Sequence, residues 1–322
     1  MCYRPITIPN KHRTVWNDKH LNTFGCGQCV PCIQKKRTEW AFRMHQESKD
    51  HAHAYFVTLT YREEELPYLN LETGEFPVRL KDDTSKYLET DRLEKIVYKK
   101  DVQNFIKNVR RQQEHHVPKH STRIEQDVKR KVRYYMNSEY GTQYTKRPHY
   151  HGILWGLHPN IANRIDNQKI WTKGNVQIKP IDESVSSYYY LSKYMYKQKN
   201  YNIWTFKPFT VMSQKPIIGN RYLETHTDYH IAKGDLFTKW NGKEVLIPRV
   251  YRDRLPQWLK RATNEKILEY NKEIEKKELH LYETKKNHHP EILRYFKQQK
   301  AENKQRIEQL IFNTKMSKQL SL

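Results

Sequence analysis

The chain has 322 residues, enough for one large domain or for a catalytic domain with appendages. Its 59 lysine and arginine residues outnumber its 36 aspartate and glutamate residues, and the formal net charge of +23 predicts a polyanionic partner, most simply nucleic acid. An acidic membrane surface is the rival partner, but no apolar stretch approaches the roughly 18 residues that span a bilayer. The amino terminus lacks the apolar segment of a signal peptide, so we expect an intracellular protein.

All four cysteines lie near the amino terminus, at Cys2, Cys26, Cys29 and Cys32. Disulfides are rare in a reducing compartment, whereas the short spacing from Cys26 to Cys32 lets a tight turn present several thiolates to one ion. Four such ligands make a closed tetrahedral Zn²⁺ site, which would be structural. The alternative is four reduced thiols that pack near each other without metal.

A helix is predicted from Ile33 to Glu47, where basic residues surround Trp40 and Phe42. This helix could contact DNA or cover the core. The sequence His51-Ala52-His53 follows it and contains two histidines at strand spacing. Because no strand that ends in a carboxylate precedes it, we interpret it as the start of a strand and not as a metal site.

The segment Tyr55–Tyr61 is the clearest β-strand of the chain, because it is rich in β-branched and aromatic residues. Its threonines share one face and Val57 and Leu59 share the other, which suits a central strand beneath an active site. The stretch from Arg62 to Leu93 is predicted to be a loop-like excursion. A helix with an apolar stripe begins at Asp101 and should pack on the back of the sheet.

The segment Arg147-Pro-His149-Tyr-His151-Gly152 carries the strongest chemical pattern. On a strand, His149 and His151 project to the same side, which makes them a ready pair of metal ligands. A strand-like run upstream ends at Glu139. Antiparallel pairing of the two strands would bring this carboxylate to the histidines. The alternative is that both histidines merely pack.

A fourth strand is predicted from Gly174 to Ile181, and the acidic segment 182–184 can cap the helix that follows it. This helix is rich in tyrosine. Tyr188, Tyr189 and Tyr196 point at other angles from the remaining tyrosine pair and are predicted to be packing residues.

That pair is Tyr190 and Tyr194, which lie four residues apart on one helical face, with Lys193 and Lys197 nearby. A tyrosine oxygen is a competent nucleophile for phosphodiester cleavage beside a metal-bound phosphate. The two lysines can favour the phenolate or hold phosphate. Helix packing is the alternative role of the tyrosine pair.

Beyond Asn200 the pattern weakens. An aromatic and basic stretch from Trp204 to Lys215 could stack bases or form a small core. Residues 262–318 are predicted to form long charged helices. No glycine-rich phosphate loop occurs, which excludes an ATP-driven helicase of the Walker type.

Several of these stretches occur in a fixed order: Cys2, Cys26–Cys32, Trp40-Ala-Phe-Arg43, Phe56-Val-Thr-Leu-Thr-Tyr61, Asp101-Val-Gln-Asn-Phe105, Glu139-Tyr-Gly141, Arg147-Pro-His-Tyr-His-Gly152 and Tyr190-Leu-Ser-Lys-Tyr194. The order resembles that of HUH endonucleases. It is most similar to the replication initiator proteins of microviruses of the gokushovirus type, over about residues 1–200.

The resemblance implies an α+β HUH endonuclease fold, with a central antiparallel β-sheet and flanking helices. We expect a cysteine-rich segment and helix at residues 1–50, the nicking-joining domain at 51–200, and a basic, largely helical extension at 201–322. The resemblance implies divalent-metal ligands at His149, His151 and Glu139, and nucleophiles at Tyr190 and Tyr194.

It also implies rolling-circle replication, in which origin DNA is nicked through a 5′-phosphotyrosyl intermediate and the displaced single strand is rejoined. The expected cofactor is Mg²⁺ or Mn²⁺, with structural Zn²⁺ at the cysteines. The expected partners are single-stranded and origin DNA and the helicase and polymerase of the host, in the cytoplasm of a bacterium, with no membrane.

Two other functions remain open. One is a zinc-dependent nucleic-acid-binding protein without catalysis. The other is an HUH transposase or plasmid relaxase, against which the cysteine segment and the two close tyrosines speak.

Overall fold

The computed structural model describes residues 2, 5–9, 21–27, 29–79, 92–116, 132–141, 146–167, 169–182, 184–192, 206–264 and six positions between 266 and 276. The strands are β1 (Ile6–Pro9), β2 (Leu21–Phe24), β3 (Ala54–Thr60), β4 (Tyr68–Asn70), β5 (Leu93–Lys95), β6 (Arg133–Tyr140), β7 (Pro148–Trp155), β8 (Val176–Pro180), β9 (Thr210–Met212), β10 (Phe237–Trp240) and β11 (Lys243–Leu246). The helices are α1 (Val30–Ser48), α2 (Lys99–His116), α3 (Pro159–Asp166), α4 (Val185–Ser192), α5 (Arg221–Lys233), α6 (Arg249–Arg252) and α7 (Gln257–Ala262).

The chain divides into two units. One comprises Arg37–Tyr229 and contains the central sheet; the other comprises Met1–Lys36 with His230–Leu322. The second unit contains the hairpins β1–β2 and β10–β11. None of the helices in the described part of the chain is long and apolar enough to cross a bilayer.

The central sheet has five antiparallel strands in the order β8-β3-β7-β6-β9. The predicted mixed α+β architecture with a central antiparallel sheet is therefore confirmed. Strand β3 lies between β7 and β8, as the sequence predicted for the segment that begins near Tyr55. Strand β9 comes from beyond residue 200, so the sheet continues past the expected boundary at that residue. The division at residues 50 and 200 stays a prediction.

One face of the sheet is apolar because alternate residues of each strand point toward α2 and α3. Val57 and Leu59 of β3 are fully buried there, as is Leu154 of β7. Helix α2 meets them with the stripe that the sequence predicted, namely Val102, Phe105, Ile106 and Val109. The opposite face carries the threonines of β3 and both histidines of β7, and it is the face that bears the chemistry.

Gly152 allows β6 and β7 to approach each other closely behind the histidines. A Cβ atom at this position would overlap the Met136 sulfur and the Tyr135 carbonyl oxygen. Any larger residue would therefore push apart the two strands whose register forms the site.

The prediction of a loop from Arg62 to Leu93 is wrong for part of this stretch. It contains a 3-10 turn at Glu63–Glu65 and the strand β4, which pairs with β5. Leu66 is fully buried in the core. Strands of three residues are too short to show alternation, which is why the pattern was missed. Residues 80–91 lie outside the described residues.

A buried polar network anchors β7 from the apolar side of the sheet. Tyr150, which lies between the two histidines in sequence, has its hydroxyl oxygen 2.9 Å from that of Tyr61. Tyr61 donates to Asp101 at 2.6 Å, and Asp101 accepts from Arg79 at 2.6 Å. Arg79 also reaches Glu65. Burial raises the pKa of both tyrosines, so they remain neutral donors.

We expect Asp101→Ala to destabilise this unit by about 3 kcal/mol, because it leaves the buried Arg79 guanidinium with one carboxylate fewer. The melting temperature should fall by roughly 6–12 °C. Asp166→Ala is the matched control, since Asp166 is exposed on α3 and such changes usually stay within about 0.5 kcal/mol. Equal melting temperatures of the two variants would contradict the stabilising role of the network.

Candidate active site

The register of β6 and β7 brings a carboxylate to two histidines. Glu139 lies directly opposite His149, and Asn137 lies opposite His151. Glu139 Oε2 is 3.2 Å from His149 Nε2 and 4.0 Å from His151 Nε2. The ligand atoms of the three residues all lie within 4.8 Å of one another. The sequence predicted this antiparallel pairing, and the pairing is confirmed.

The second ring nitrogen of each histidine is held by a different partner. His149 Nδ1 lies 3.1 Å from the Arg147 carbonyl oxygen, so in the neutral ring Nδ1 carries the proton and Nε2 the lone pair. His151 Nδ1 lies 2.9 Å from the Thr58 hydroxyl of the neighbouring strand. Partners of this kind orient a metal-binding imidazole and fix its tautomer. Sequence reasoning placed Thr58 on this face without giving it a role, although its position opposite His151 follows from strand pairing.

The Glu139 carboxylate is suited to a cation. Its side chain is only 4% exposed, and its buried Oε1 atom has no hydrogen-bond partner among the described residues. An ionised carboxylate without a partner is costly to bury, and a metal ion removes that cost. Two imidazoles and one carboxylate form a donor set that first-row divalent ions and Mg²⁺ accept. The histidine side chains are 20% and 13% exposed, so a ligand can reach this site from solvent.

Helix α4 begins with the cap that the sequence predicted. Ser184 Oγ accepts from the Ser187 amide at 3.3 Å, and Asp182 accepts from the hydroxyls of Ser184 and Ser187 at 2.6 Å each. These bonds satisfy donors at the start of the helix. The capped helix ends at Ser192 in the described part of the chain.

Helix α4 packs on α1 through its first two tyrosines. Tyr188 is fully buried and its hydroxyl donates to Ser48 at 2.5 Å, while the Tyr189 hydroxyl lies 3.4 Å from that of Thr38. The His45 ring lies 5.6 Å from that of Tyr188. Burial, and then the nearby Lys49, lower the pKa of His45 to about 4, so this contact is uncharged at pH 7.

Tyr190 is placed differently from its neighbours, because 52% of it is exposed. The residue after it, Leu191, lines a small cavity together with His151 and Phe56. The tyrosine-bearing end of α4 thus lies beside the histidine pair. Lys193, Tyr194 and Lys197 lie outside the described residues, as does Tyr196.

The four cysteines converge in the other unit. The sulfurs of Cys2, Cys26, Cys29 and Cys32 lie within 4.8 Å of one another, and the Cys2 and Cys29 sulfurs are 3.7 Å apart. Zn–S bonds of about 2.3 Å in a tetrahedron give a sulfur–sulfur separation of about 3.8 Å. The Cys26 amide donates to the Cys2 sulfur at 3.1 Å, and the Cys29 amide donates to the Cys26 sulfur at 3.3 Å. The cluster could therefore hold a metal ion.

We expect protein that is purified without chelator to contain about one zinc per chain, measured by elemental mass spectrometry. Cys29→Ser should remove most of this zinc. The matched control is His149→Ala with His151→Ala, which should keep the zinc because its ligands are elsewhere. Folded wild-type protein that carries no zinc would contradict this prediction.

Comparison with known proteins agrees with these features. A family model for replication-associated proteins of the ORF2 type matches residues 54–199. The chain is also 26% identical over 306 residues to the replication-associated protein VP4 of Bdellovibrio phage phiMH2K, and the alignment covers 88% of this chain and 84% of that protein. The chain resembles a phage replication-associated protein. The resemblance predicted from the motifs is thereby confirmed. No solved structure gives a significant match.

The segment that matches the family model begins at the first residue of β3 and contains the histidine pair, Glu139 and both predicted tyrosines. The roles of these residues stay predictions.

Proposed function

We propose that this protein initiates rolling-circle replication of a phage genome by nicking and rejoining one DNA strand at the origin. The observation that carries the proposal is the buried carboxylate of Glu139 between two imidazole nitrogens, with one oxygen unpartnered among the described residues. This constellation lies in a segment similar to replication-associated proteins. The excess of basic residues suits a DNA substrate.

The proposed cofactor is Mg²⁺ or Mn²⁺, held by His149, His151 and Glu139 through the atoms that converge in the site. A divalent ion there would supply Lewis-acid polarisation of the scissile phosphate. Thr58 and the Arg147 carbonyl keep the two imidazoles oriented toward that phosphate.

The proposed nucleophile is the phenolic oxygen of Tyr190 or Tyr194. This oxygen loses its proton and bonds to phosphorus as the bond to the 3′ oxygen breaks, and the 3′ oxygen takes up a proton from water. The products are a 5′-phosphotyrosyl protein and a free 3′-OH, which a host polymerase can extend as a host helicase unwinds the duplex. Lys193 and Lys197 would favour the phenolate or hold the phosphate. The second tyrosine allows a second cut while the first end is still attached.

This chemistry corresponds to an HUH endonuclease with three parts: a cysteine-rich segment at 1–50, the nicking-joining domain at 51–200 and a basic extension at 201–322. We propose that it acts in the cytoplasm of the bacterial host. A second candidate is a zinc-dependent DNA-binding protein without catalysis, and the convergence of the four sulfurs favours it.

The test is a cleavage assay with single-stranded oligonucleotides tiled along the replicon that encodes this chain, with or without added Mg²⁺ or Mn²⁺. On a denaturing gel, one oligonucleotide should be cut at one position only when the divalent ion is present. Binding of every oligonucleotide without cleavage of any would overturn the nicking function in favour of the second candidate.

A further inference from the structure

A cavity of about 1010 Å³ lies at the free edge of the central sheet, within the unit Arg37–Tyr229. Strand β9 has no further strand partner in the described chain, and the segment 210–216 forms one wall. Helix α2 borders the cavity on the apolar side of the sheet, and α1 and α5 border it on the other side. We call this cavity the edge groove. Its volume is at the upper end of the ~300–1,000 Å³ typical of ligand sites.

The lining of the edge groove has an excess of cations. Five of its side chains are lysine or arginine and three are glutamate or aspartate: Lys99, Arg110, Arg133, Lys215 and Arg221 against Glu47, Asp50 and Glu224. Arg133 pairs with Glu47 at 2.6 Å, and Arg221 pairs with Asp50 at 3.2 Å. No ion pair to Lys99, Arg110 or Lys215 is present within the described ranges. These three cations are therefore available to an anionic ligand.

Two further features indicate a built anion site. The Nη2 atom of Arg133 is buried and lacks a hydrogen-bond partner in the described part of the structure, so a guanidinium donor is left for a ligand. The Arg110 guanidinium lies 5.2 Å from the centre of the Tyr134 ring. An aromatic ring flanked by an arginine is a surface on which a base can stack.

The edge groove begins one strand away from the proposed metal centre. Thr210 of β9 lines the groove, and its hydroxyl donates to Asn137 Oδ1 at 2.7 Å. Asn137 in turn lies opposite His151 on β7. An extended chain bound at the histidines can thus continue across β6 and β9 into the groove.

We propose that the edge groove binds single-stranded DNA beside the cleavage site, through phosphate contacts with Lys99, Arg110 and Lys215. This inference rests on the proposed function for the identity of the ligand and assigns it a second point of attachment. The groove holds the strand in register while the metal centre acts on one phosphate. Its contribution to affinity is electrostatic and independent of base sequence.

An extended peptide that pairs with β9 is the rival occupant. The edge strand has only three residues, which offers few main-chain hydrogen bonds to such a peptide. Unpaired cations also give little to a neutral main chain, whereas a polyanion uses each of them. The observations therefore favour DNA.

The test is the affinity of the full-length protein for fluorescein-labelled oligothymidine of about 12 nucleotides, measured by anisotropy without added divalent ion. The variant is Lys99→Ala with Lys215→Ala, both exposed. We expect about tenfold weaker binding at low salt, and a salt dependence whose slope is smaller by about 1.4, because a single-strand phosphate contact contributes about 0.7.

The matched control is Lys107→Ala with Lys169→Ala, which removes the same charge from exposed positions outside the groove. It should bind like the wild type. If the groove variant and the control bind alike, the groove proposal is overturned, as would follow if the groove takes a peptide. This assay does not depend on cleavage, so a failure of the nicking function appears only in the cleavage gel.

Discussion

The double change His149→Ala with His151→Ala should lower single-strand cleavage by about 10³-fold or more. The reason is that both nitrogen ligands of the proposed divalent ion are lost, and the polarisation of a phosphate by a metal ion contributes several kcal/mol to the barrier. Binding of DNA should be nearly unchanged, because it depends on lysine and arginine contacts with phosphates. Initial cleavage rates and anisotropy on the same oligonucleotide measure the two effects separately.

The matched control is His53→Ala with His115→Ala, which removes two histidines that lie outside the cluster of ligand atoms. It should cleave like the wild type. Full cleavage by the His149 and His151 variant would sink the metal-site hypothesis, whatever the metal content of the protein.

The double change Tyr190→Phe with Tyr194→Phe should leave no detectable cleavage, because phenylalanine keeps the ring and removes only the nucleophilic oxygen. Each single change should leave some single-round cleavage, since either oxygen can serve as the nucleophile when the residues share one helical face. Each single variant should nevertheless fail in repeated rounds of cutting and rejoining, in which an attached end passes to a second nucleophile. Product formation over one and several turnovers measures this difference.

The control for these variants is Tyr229→Phe on α5, an exposed tyrosine outside the proposed site. It should nick and rejoin at the wild-type rate. Residual cleavage by the Tyr190 and Tyr194 double variant would contradict the assignment of the nucleophiles. The buried Tyr188 would not be the replacement, because its hydroxyl donates to Ser48.

Much of the candidate site could be predicted because it depends on local rules. Two histidines at strand spacing share a face whatever the rest of the fold, and a turn between two strands implies the antiparallel register that brings Glu139 to them. The support for the imidazoles was harder to predict. The contact of Thr58 with His151 requires β3 to lie next to β7, and a pairing of strands more than ninety residues apart leaves no local pattern.

The elements missed by sequence reasoning are short. Strand β9 has three residues, so it shows no alternation, yet it completes the sheet and forms a wall of the edge groove. The hairpin β10–β11 was missed for the same reason, since each strand has four residues. The buried pairing of Arg79 with Asp101 joins two charged residues in stretches that sequence composition makes look solvated. Burial of charge depends on tertiary partners, which composition does not reveal.

The most direct test of the central claim is recovery of the covalent protein–DNA adduct. Full-length protein is incubated with the cleaved oligonucleotide and a divalent ion, separated on a denaturing protein gel, digested with protease and sequenced by mass spectrometry. We expect an adduct that forms only with the divalent ion, with the 5′ end of the DNA attached to the peptide that contains Tyr190 and Tyr194. Cleavage that leaves a free 5′ phosphate and no protein adduct would contradict the account.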